Sequence, residues 1–302
     1  MPIVRCGEKG FPSWKVYETM NYSGKRFLRS GKVKDIYDAG EGKLLLVYTD
    51  RLSSHDVMLA DKVPHKGEVL CRLSAYCFTN CTVSGIETHL IDVPEPDKMI
   101  VKKLFLIPIE VIGRNYLYGS YWKRFQRGEV KLPEGTDPAL AAKLSEPVVE
   151  FTTKLEAQDR LITEQNIISY GWLKPEEIAQ VKGITLKLND LMLKDSKKAG
   201  IILADFKVEF GKDETEKIIL IDEAETPDSC RFWDASKYQP GKTQESFDKQ
   251  IVRDYLERMK GWDKKPPKAG TKLTKPILPG KIIQKTSQRY IEVFERLTGR
   301  KF

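Results

Sequence analysis

Three charged side chains alternate with apolar ones along the stretch IILADFKVEFG at 201–211. A β-strand turns successive side chains to opposite faces, so Asp205, Lys207 and Glu209 would share one face. Charged groups in a row are costly to bury unless they are paired or bind a ligand. The stretch therefore indicates either a ligand-binding face or, with equal weight, the solvent-exposed outer face of a sheet.

A second apolar stretch, IILID at 218–222, ends on a carboxylate. We assume that the two stretches pair as a hairpin with Glu209 opposite Asp222, which would bring two repelling carboxylates together. A divalent cation reverses that repulsion, and Mg²⁺ is usually held by one or two carboxylates together with nucleotide phosphates. The pair is therefore compatible with a divalent-cation site.

Three further segments carry side chains suited to anionic ligands. Arg231 follows a turn-rich stretch and can hold a carboxylate or phosphate through two parallel hydrogen bonds. Ser120 is placed to cap a helix whose N-terminus suits phosphate, with Arg114 nearby. Lys32 and Lys34 project from a predicted strand and could contact nucleotide phosphates, as a strand lysine does in protein kinases. Taken singly, each is more often a surface arginine, a routine helix cap or an exposed lysine.

Other common types of site find no support in the sequence. His55, His65 and His89 have no partners that suggest a catalytic triad, and the five cysteines have no zinc spacing. There is neither a G-x-G-x-x-G fingerprint nor a Walker A loop. An odd, scattered set of cysteines is not a disulfide framework, so a reducing cytoplasm is the expected location.

The positive charge of the chain is concentrated in one tail. The 302 residues carry a net charge of +8, but residues 260–302 hold twelve basic and three acidic residues. That tail has a net charge of +9, which leaves the other 259 residues at −1. A nucleic-acid-binding tail is one hypothesis, although the tail lacks aromatic residues interleaved with its charges.

Composition and local pattern favour an α+β protein of one large domain or two smaller ones. No stretch has the roughly 18 uncharged apolar residues of a membrane helix, and residues 1–10 lack a signal-like apolar core. Alternating patterns predict strands over 31–40, 43–50, 98–117, 201–211 and 218–222. Helical spacing predicts helices over 68–81, 120–128, 174–200, 246–262 and 281–300. Pro108 is expected to interrupt the third strand, Gly183 to break the third helix, and residues 131–150 and 264–280 to form a loop and a linker.

Six stretches, taken in order along the chain, resemble those of one enzyme family. They are GKVKDIYD at 31–38, TDRLSSHDV at 49–57, IPIEVIGRNYLYGS at 107–120, ILADFKVEFG at 202–211, DEAETPDSCRFWD at 222–234 and SFDKQIVRDYLE at 246–257. The chain resembles phosphoribosylaminoimidazole-succinocarboxamide synthase, or SAICAR synthetase, over nearly its whole length. That family uses ATP to join L-aspartate to the carboxylate of carboxyaminoimidazole ribonucleotide in purine biosynthesis.

The resemblance implies a two-lobed α+β fold of the kinase and ATP-grasp kind, with antiparallel sheets and packed helices. An ATP-binding lobe at 1–112 and a substrate- and metal-binding lobe at 113–302 would enclose ATP in the cleft between them. The family activates the carboxylate as an acyl phosphate, which the amine of aspartate attacks. The resemblance also implies that the protein uses ATP and Mg²⁺ and binds small-molecule substrates. It implies no binding to a membrane or to nucleic acid, and either a monomer or a homo-oligomer.

Residue roles also follow from the resemblance. Glu209 and Asp222 would be the magnesium ligands. Lys207 and Arg231 would be catalytic, near the nucleotide carboxylate and the transferred phosphoryl group. The other implied contacts are Arg114 and Ser120 with the ribonucleotide phosphate, Asp205 with its polar groups, Lys32 and Lys34 with the ATP phosphates, and Lys103 and Glu110 in the hinge segment beside adenine.

Some positions depart from the family pattern. Many relatives have a His-Asp pair followed by Glu and Asn where this chain has Gln158, Asp159, Arg160 and Leu161. Cys230 stands where serine is usual, and Gly113 where valine is usual. A small-molecule kinase of the same fold is the main alternative, but the complete DEAETPDSCRFW stretch beside DFKVEFG argues against it.

Overall fold

The computed structural model describes residues 24–54, 57–156, 159–247, 250–259 and 276–302. His55, Gln158 and most of the linker expected at 264–280 lie outside these ranges. Within them, no helix is long and apolar enough to cross a bilayer.

The described residues form thirteen strands and six α-helices. The strands are β1 (Arg26–Ser30), β2 (Lys34–Gly40), β3 (Lys43–Tyr48), β4 (Arg51–Ser54), β5 (Val57–Lys62), β6 (Leu90–Glu95), β7 (Lys98–Lys102), β8 (Phe105–Tyr116), β9 (Lys143–Thr153), β10 (Leu161–Ile162), β11 (Ile201–Lys212), β12 (Ile218–Ile221) and β13 (Cys230–Asp234). The helices are α1 (Lys66–Val83), α2 (Gly119–Gln126), α3 (Glu164–Ser169), α4 (Pro175–Lys198), α5 (Gln250–Arg258) and α6 (Gly280–Thr298).

Two antiparallel sheets dominate the architecture, as expected for the α+β class. The first has the strand order β1-β2-β3-β7-β6, and the second has the order β10-β9-β8-β11-β12. Strand β11 is the centre of the second sheet because β8 pairs along one edge while β13 and β12 share the other. The chain passes from the first sheet to the second through residues 103–104, between β7 and β8.

The boundary expected between residues 112 and 113 falls inside β8, so it does not coincide with the change of sheet. Pro108 does not interrupt β8 either. The pairing between β8 and β11 is irregular around Pro108, where Glu110 lies opposite Glu209 but Leu106 lies opposite Gly211. Two extra residues in β8 let the strand pass Pro108 without its backbone N–H, since bulges are where sheets tolerate proline.

The predicted loop at 131–150 is wrong in its second half, because β9 begins at residue 143. Pro147 suggested a loop, yet it falls where the register between β8 and β9 shifts, so the strand continues past it. The predicted break in α4 is also wrong. A glycine costs about 1 kcal/mol in a helix interior, and the buried face that α4 packs against β11 outweighs it.

One continuous apolar core joins the two sheets. Helix α1 packs against β3, β6 and β7, and α4 packs against β8, β9 and β11. Leu70, Leu73 and Cys77 of α1 are fully buried at helical spacing, as the sequence predicts. The same core includes residues of both sheets and of α6.

The end of the basic tail is part of this core. Helix α6 buries Tyr290, Val293 and Phe294 and packs against α1. The guanidinium carbon of Arg72 lies 4.2 Å from the ring centre of Phe294. Residues 280–298 are therefore a structural element of the fold as well as a carrier of positive charge.

Gly113, which departs from the family pattern, is a close-contact position. A Cβ built at Gly113 would lie 2.2 Å from Cε1 of Phe206, its cross-strand partner in β11. We expect Gly113→Val to lower the free energy of unfolding by about 1–3 kcal/mol, because Phe206 is buried and the added volume overpacks the core. Denaturant unfolding measures the change.

A double-mutant cycle tests the cause. In a Phe206→Leu background the smaller side chain leaves room, so the valine is expected to cost markedly less. An equal cost in both backgrounds would contradict the steric explanation.

Candidate active site

One row of charged side chains crosses the second sheet at Asp205. Asp205 lies opposite Arg114 of β8 on one side and Arg231 of β13 on the other. Arg231 donates to the carboxylate of Asp205, and Nη1 of Arg114 lies 3.7 Å from Oδ2 of the same group. The row holds two guanidinium groups around one carboxylate, which suits an anionic ligand.

Arg114 is held in place by a buried network. Its Nε donates to Glu150 at 2.5 Å and its Nη2 donates to Ser120 at 3.2 Å. Arg124 also donates to Glu150, and both arginines lie over the ring of Tyr121. The side chain of Arg114 is only 5% exposed, so its guanidinium group is held in one orientation before any ligand binds.

Ser120 does not cap α2, contrary to the prediction. The helix begins at Gly119, after an extended Tyr118 that makes no side-chain cap. Gly119 has φ +59°, and a Cβ there would lie 2.9 Å from Nη1 of Arg231. Glycine therefore allows the start of α2 to approach Arg231, and Ser120 serves as an acceptor for Arg114.

A second charged row crosses the same sheet at Glu209. The hairpin register places Glu209 opposite Ile221, one residue away from the assumed partner Asp222. Asp222 follows β12 with φ +72°, so the chain leaves the ladder there. On the other edge Glu209 lies opposite Glu110. Burial, and after it the charge of Asp222, raises the pKa of Glu209, so the two predicted ligands still interact.

Each carboxylate of the second row has a lysine. Lys154 donates to Glu209, and Lys207 donates to Glu110. Lys34, from the first sheet, lies 2.8 Å from Oδ1 of Asp222 and donates to its carbonyl oxygen at 3.1 Å.

The contact between Lys34 and Asp222 shifts the pKa values of both groups. Burial alone would raise the pKa of Asp222, but Lys34 and Lys154 hold it well below its usual range. Burial would likewise lower the pKa of Lys34, and Asp222 keeps it above its usual value. Both groups are therefore charged at neutral pH.

The other predicted ATP contacts are dispersed. Lys32 is exposed in the bend before β2, so it does not share a strand face with Lys34. Lys103 lies between the sheets, with its Nζ 3.6 Å from Asp38. Glu110 lies deep in β8 beside Lys207 instead of at the hinge.

Glu150 and Lys154 are site residues that the sequence did not predict. Both lie on the face of the second sheet that carries the two rows, at alternate positions in and just after β9. The TTK stretch at 152–154 ends in a lysine that could have been predicted as a site residue. The prolines on its N-terminal side favoured a loop instead.

The donor set suits Mg²⁺. Glu209 and Asp222 offer carboxylate oxygens, which are the ligands that Mg²⁺ prefers. The described residues contain no group of three or more acidic, histidine or cysteine side chains arranged around a metal position. Two carboxylates completed by phosphate oxygens fit this arrangement, and an all-protein metal cage does not.

A buried acid lies just beyond the site and is expected to make stability depend on pH. Glu225 is 1% exposed, its Oε1 has no hydrogen-bond partner among the described residues, and burial followed by Asp195 raises its pKa well above the usual range. The unfolded chain loses this proton near pH 4.3, so stability falls as pH rises from there towards the folded pKa.

We expect Glu225→Gln to be more stable than the parent protein at pH 8 and similar to it near pH 4. The difference should grow by up to about 1.4 kcal/mol for each pH unit in between. Thermal unfolding across this range measures it, with Glu214→Gln as an exposed control. A difference that does not vary with pH would contradict the assignment of a buried, protonated Glu225.

Comparison with known proteins agrees with this geometry. A sequence model of the SAICAR synthetase family matches residues 27–269. The chain is 43% identical to phosphoribosylaminoimidazole-succinocarboxamide synthase of Thermodesulfovibrio yellowstonii, over 94% of this chain and 99% of the relative. The enzyme of the same name from Nitrosopumilus maritimus is 36% identical, over 91% and 98% of the two chains.

The chain belongs to the SAICAR synthetase family. A SAICAR synthase of Saccharomyces cerevisiae, solved with SAICAR, superposes with a TM-score of 0.80 at 32% identity, covering 95% of this chain and 99% of that one. A SAICAR synthetase solved in complex with ADP superposes with a TM-score of 0.70 at 31% identity, covering 91% and 98%.

The resemblance seen in the sequence motifs is thus confirmed, as is the ATP-grasp-like α+β fold of SAICAR synthetases. The protein is an ATP-dependent ligase of purine biosynthesis that makes the amide bond of SAICAR.

Proposed function

We propose that the two charged rows of the second sheet bind the two ends of the reacting assembly. The row at Asp205 binds the ribonucleotide, with Arg114 and Ser120 on its phosphate, Asp205 on its polar groups and Arg231 at its reacting end. The row at Glu209 lies four residues further along β11, about 13 Å away at strand spacing. Lys207 lies between the rows, on the same face, where the carboxylate and the γ-phosphate would meet.

The single observation that carries this proposal is the shared face of β11. Asp205, Lys207 and Glu209 lie at alternate positions of one strand, so a rigid backbone fixes their spacing. Positioning and charge neutralisation are the main contributions of a protein to phosphoryl transfer.

The chemistry needs two steps in this cleft. A carboxylate oxygen of the ribonucleotide bonds to the γ-phosphorus of ATP, and ADP leaves with the electron pair of the broken bond. The amine of L-aspartate then bonds to the acyl carbon, phosphate leaves with the original carboxylate oxygen, and the amine loses a proton. Lys207 and Arg231 neutralise charge on the transferred phosphoryl group.

Mg²⁺, held by Glu209 and Asp222, would supply charge neutralisation at the ATP phosphates. Lys34 of the first sheet contacts the same phosphates beside Asp222, and Lys32 reaches them from the exposed bend before β2. The segment from Lys103 to Glu110 borders adenine at its beginning, near the crossing between the sheets. The first sheet thus forms the ATP-binding lobe and the second sheet the substrate- and metal-binding lobe.

The thiols favour a cytoplasmic location. Cys71, Cys77, Cys81 and Cys230 are all buried and unpaired. Free thiols persist where the compartment is reducing.

An isotope experiment tests the reaction path. With ¹⁸O in both oxygens of the ribonucleotide carboxylate, the released phosphate should carry one ¹⁸O and the amide of SAICAR should retain the other. ADP should form at the full rate only when both the ribonucleotide and L-aspartate are present.

Two outcomes would count against the proposal. Unlabelled phosphate would exclude transfer to the carboxylate. ADP formation at the same rate without aspartate would instead favour a kinase that transfers phosphate to a hydroxyl.

A further inference from the structure

Three buried polar side chains from distant parts of the chain meet behind the active site. Oδ2 of Asp228 lies 2.8 Å from Nζ of Lys66, at the start of α1. Oδ1 of Asp228 accepts a hydrogen bond from the hydroxyl of Tyr290 in α6, at 2.5 Å. Lys66 and Tyr290 are fully buried and the side chain of Asp228 is 4% exposed, so water does not compete for these contacts.

Asp228 belongs to the loop that carries the active-site charges. The loop of residues 222–229 begins at Asp222, and Arg231 follows it by two residues. Asp222 and Glu225 both have positive φ, a conformation that costs non-glycine residues energy. Contacts from outside the loop are needed to hold such a shape.

Other bonds hold the end of the loop. The side chains of Thr226 and Ser229 lie 3.0 Å apart, and the carbonyl of Ser229 links the loop to β11 by accepting from the backbone N–H of Lys207 at 2.8 Å. The contacts of Asp228 are different because they attach the loop to two helices.

A buried ion pair contributes little net stability, because desolvation offsets the attraction between the charges. Such a pair is better understood as fixing a geometry, since a displacement of the loop would take the carboxylate of Asp228 away from the buried amine of Lys66.

We propose that Tyr290 and Lys66 are positioning residues that fix the loop of residues 222–229 through Asp228, so that α6 controls the placement of Asp222 and Arg231. This inference rests on the active-site roles proposed above for Asp222 and Arg231. Tyr290 is fully buried in α6 and would act on the active site through its bond to Asp228.

The test compares two single-bond deletions in α6. Tyr290→Phe removes the hydroxyl that holds Asp228. Ser287→Ala removes a hydrogen bond of similar length, 2.7 Å, from the same helix to the carbonyl of Pro64, which is not part of the loop. We expect both variants to lose a similar, small amount of thermal stability.

Only Tyr290→Phe should change catalysis. We expect kcat to fall about tenfold and the Mg²⁺ concentration for half-maximal activity to rise about threefold, because a displacement of well under 1 Å already slows an oriented reaction. The KM for L-aspartate should stay the same. Assays are run well below the melting temperature of either variant.

A second variant checks that the effect passes through Asp228. In an Asp228→Asn background, Tyr290→Phe should lower kcat much less than tenfold, since the contact is already weakened. If Asp228→Asn does not fold, the comparison of Tyr290→Phe with Ser287→Ala decides alone.

Equal kcat values for Tyr290→Phe and Ser287→Ala would overturn the positioning role. Asp222→Asn is assayed in parallel. If that variant keeps full activity, the proposed roles of the loop fail, which is distinct from a failure of Tyr290 alone.

Discussion

Replacing Asp222 by asparagine is expected to lower kcat at least about a hundredfold. The substitution keeps the shape of the side chain but removes the charge that pairs with Lys34 and that we assign to Mg²⁺. Because Lys34 also bonds the carbonyl of residue 222, it keeps one partner and the fold should survive.

Two readouts locate the defect. The Mg²⁺ requirement of Asp222→Asn should rise, while the KM for the ribonucleotide should change little because that ligand is assigned to the other row. Circular dichroism and thermal unfolding check that the fold is intact.

Glu214→Gln is the matched control for Asp222→Asn. Glu214 is an exposed carboxylate in the turn at the opposite end of the β11–β12 hairpin. Its replacement should leave both kcat and the Mg²⁺ requirement unchanged. A normal turnover in Asp222→Asn would remove this residue from the site.

Arg114→Ala is expected to raise the KM for the ribonucleotide by about 30-fold or more, and to leave the KM for ATP unchanged. Charge-assisted hydrogen bonds to phosphate are each worth about 1.5–3 kcal/mol, and Arg114 offers a buried fork. The alanine also leaves Glu150 with Arg124 as its remaining arginine partner, which weakens the pocket further.

Arg114→Lys separates charge from geometry. It keeps the positive charge but loses the planar fork, so its KM should fall between those of the parent and Arg114→Ala. Arg127→Ala is the matched control, because Arg127 follows α2 but is exposed and paired with Glu129. If the KM for ATP rises in place of that for the ribonucleotide, the phosphate assignment is wrong.

The shared face of Asp205, Lys207 and Glu209 could be predicted because the period of a strand depends only on local sequence. The partner of Glu209 could not, since the register depends on the turn at 213–217 and on the left-handed Asp222.

The other features that the sequence did not predict also depend on tertiary pairing. Pro147 led to the prediction of a loop where β9 lies, so Glu150 and Lys154 were not predicted as site residues. The strand tolerates the proline at a bulge, and a bulge has no clear sequence signal. The contact of Lys66 with Asp228 joins parts of the chain that are far apart in sequence, and no local pattern encodes it. Local periodicity thus predicted the elements, while tertiary pairing decided which charges meet.

The packing of α6 on α1 has a consequence for folding during synthesis on the ribosome. The ribosome makes α1 before α6, so the apolar side of α1 that packs near Phe294 stays uncovered until α6 has been made. Lys66 at the head of α1 gains Tyr290 as a neighbour at the same late moment. The hydrogen bond from Tyr290 to Asp228 also forms then, so on the role proposed for Tyr290 the loop of residues 222–229 is fixed only after α6 has docked.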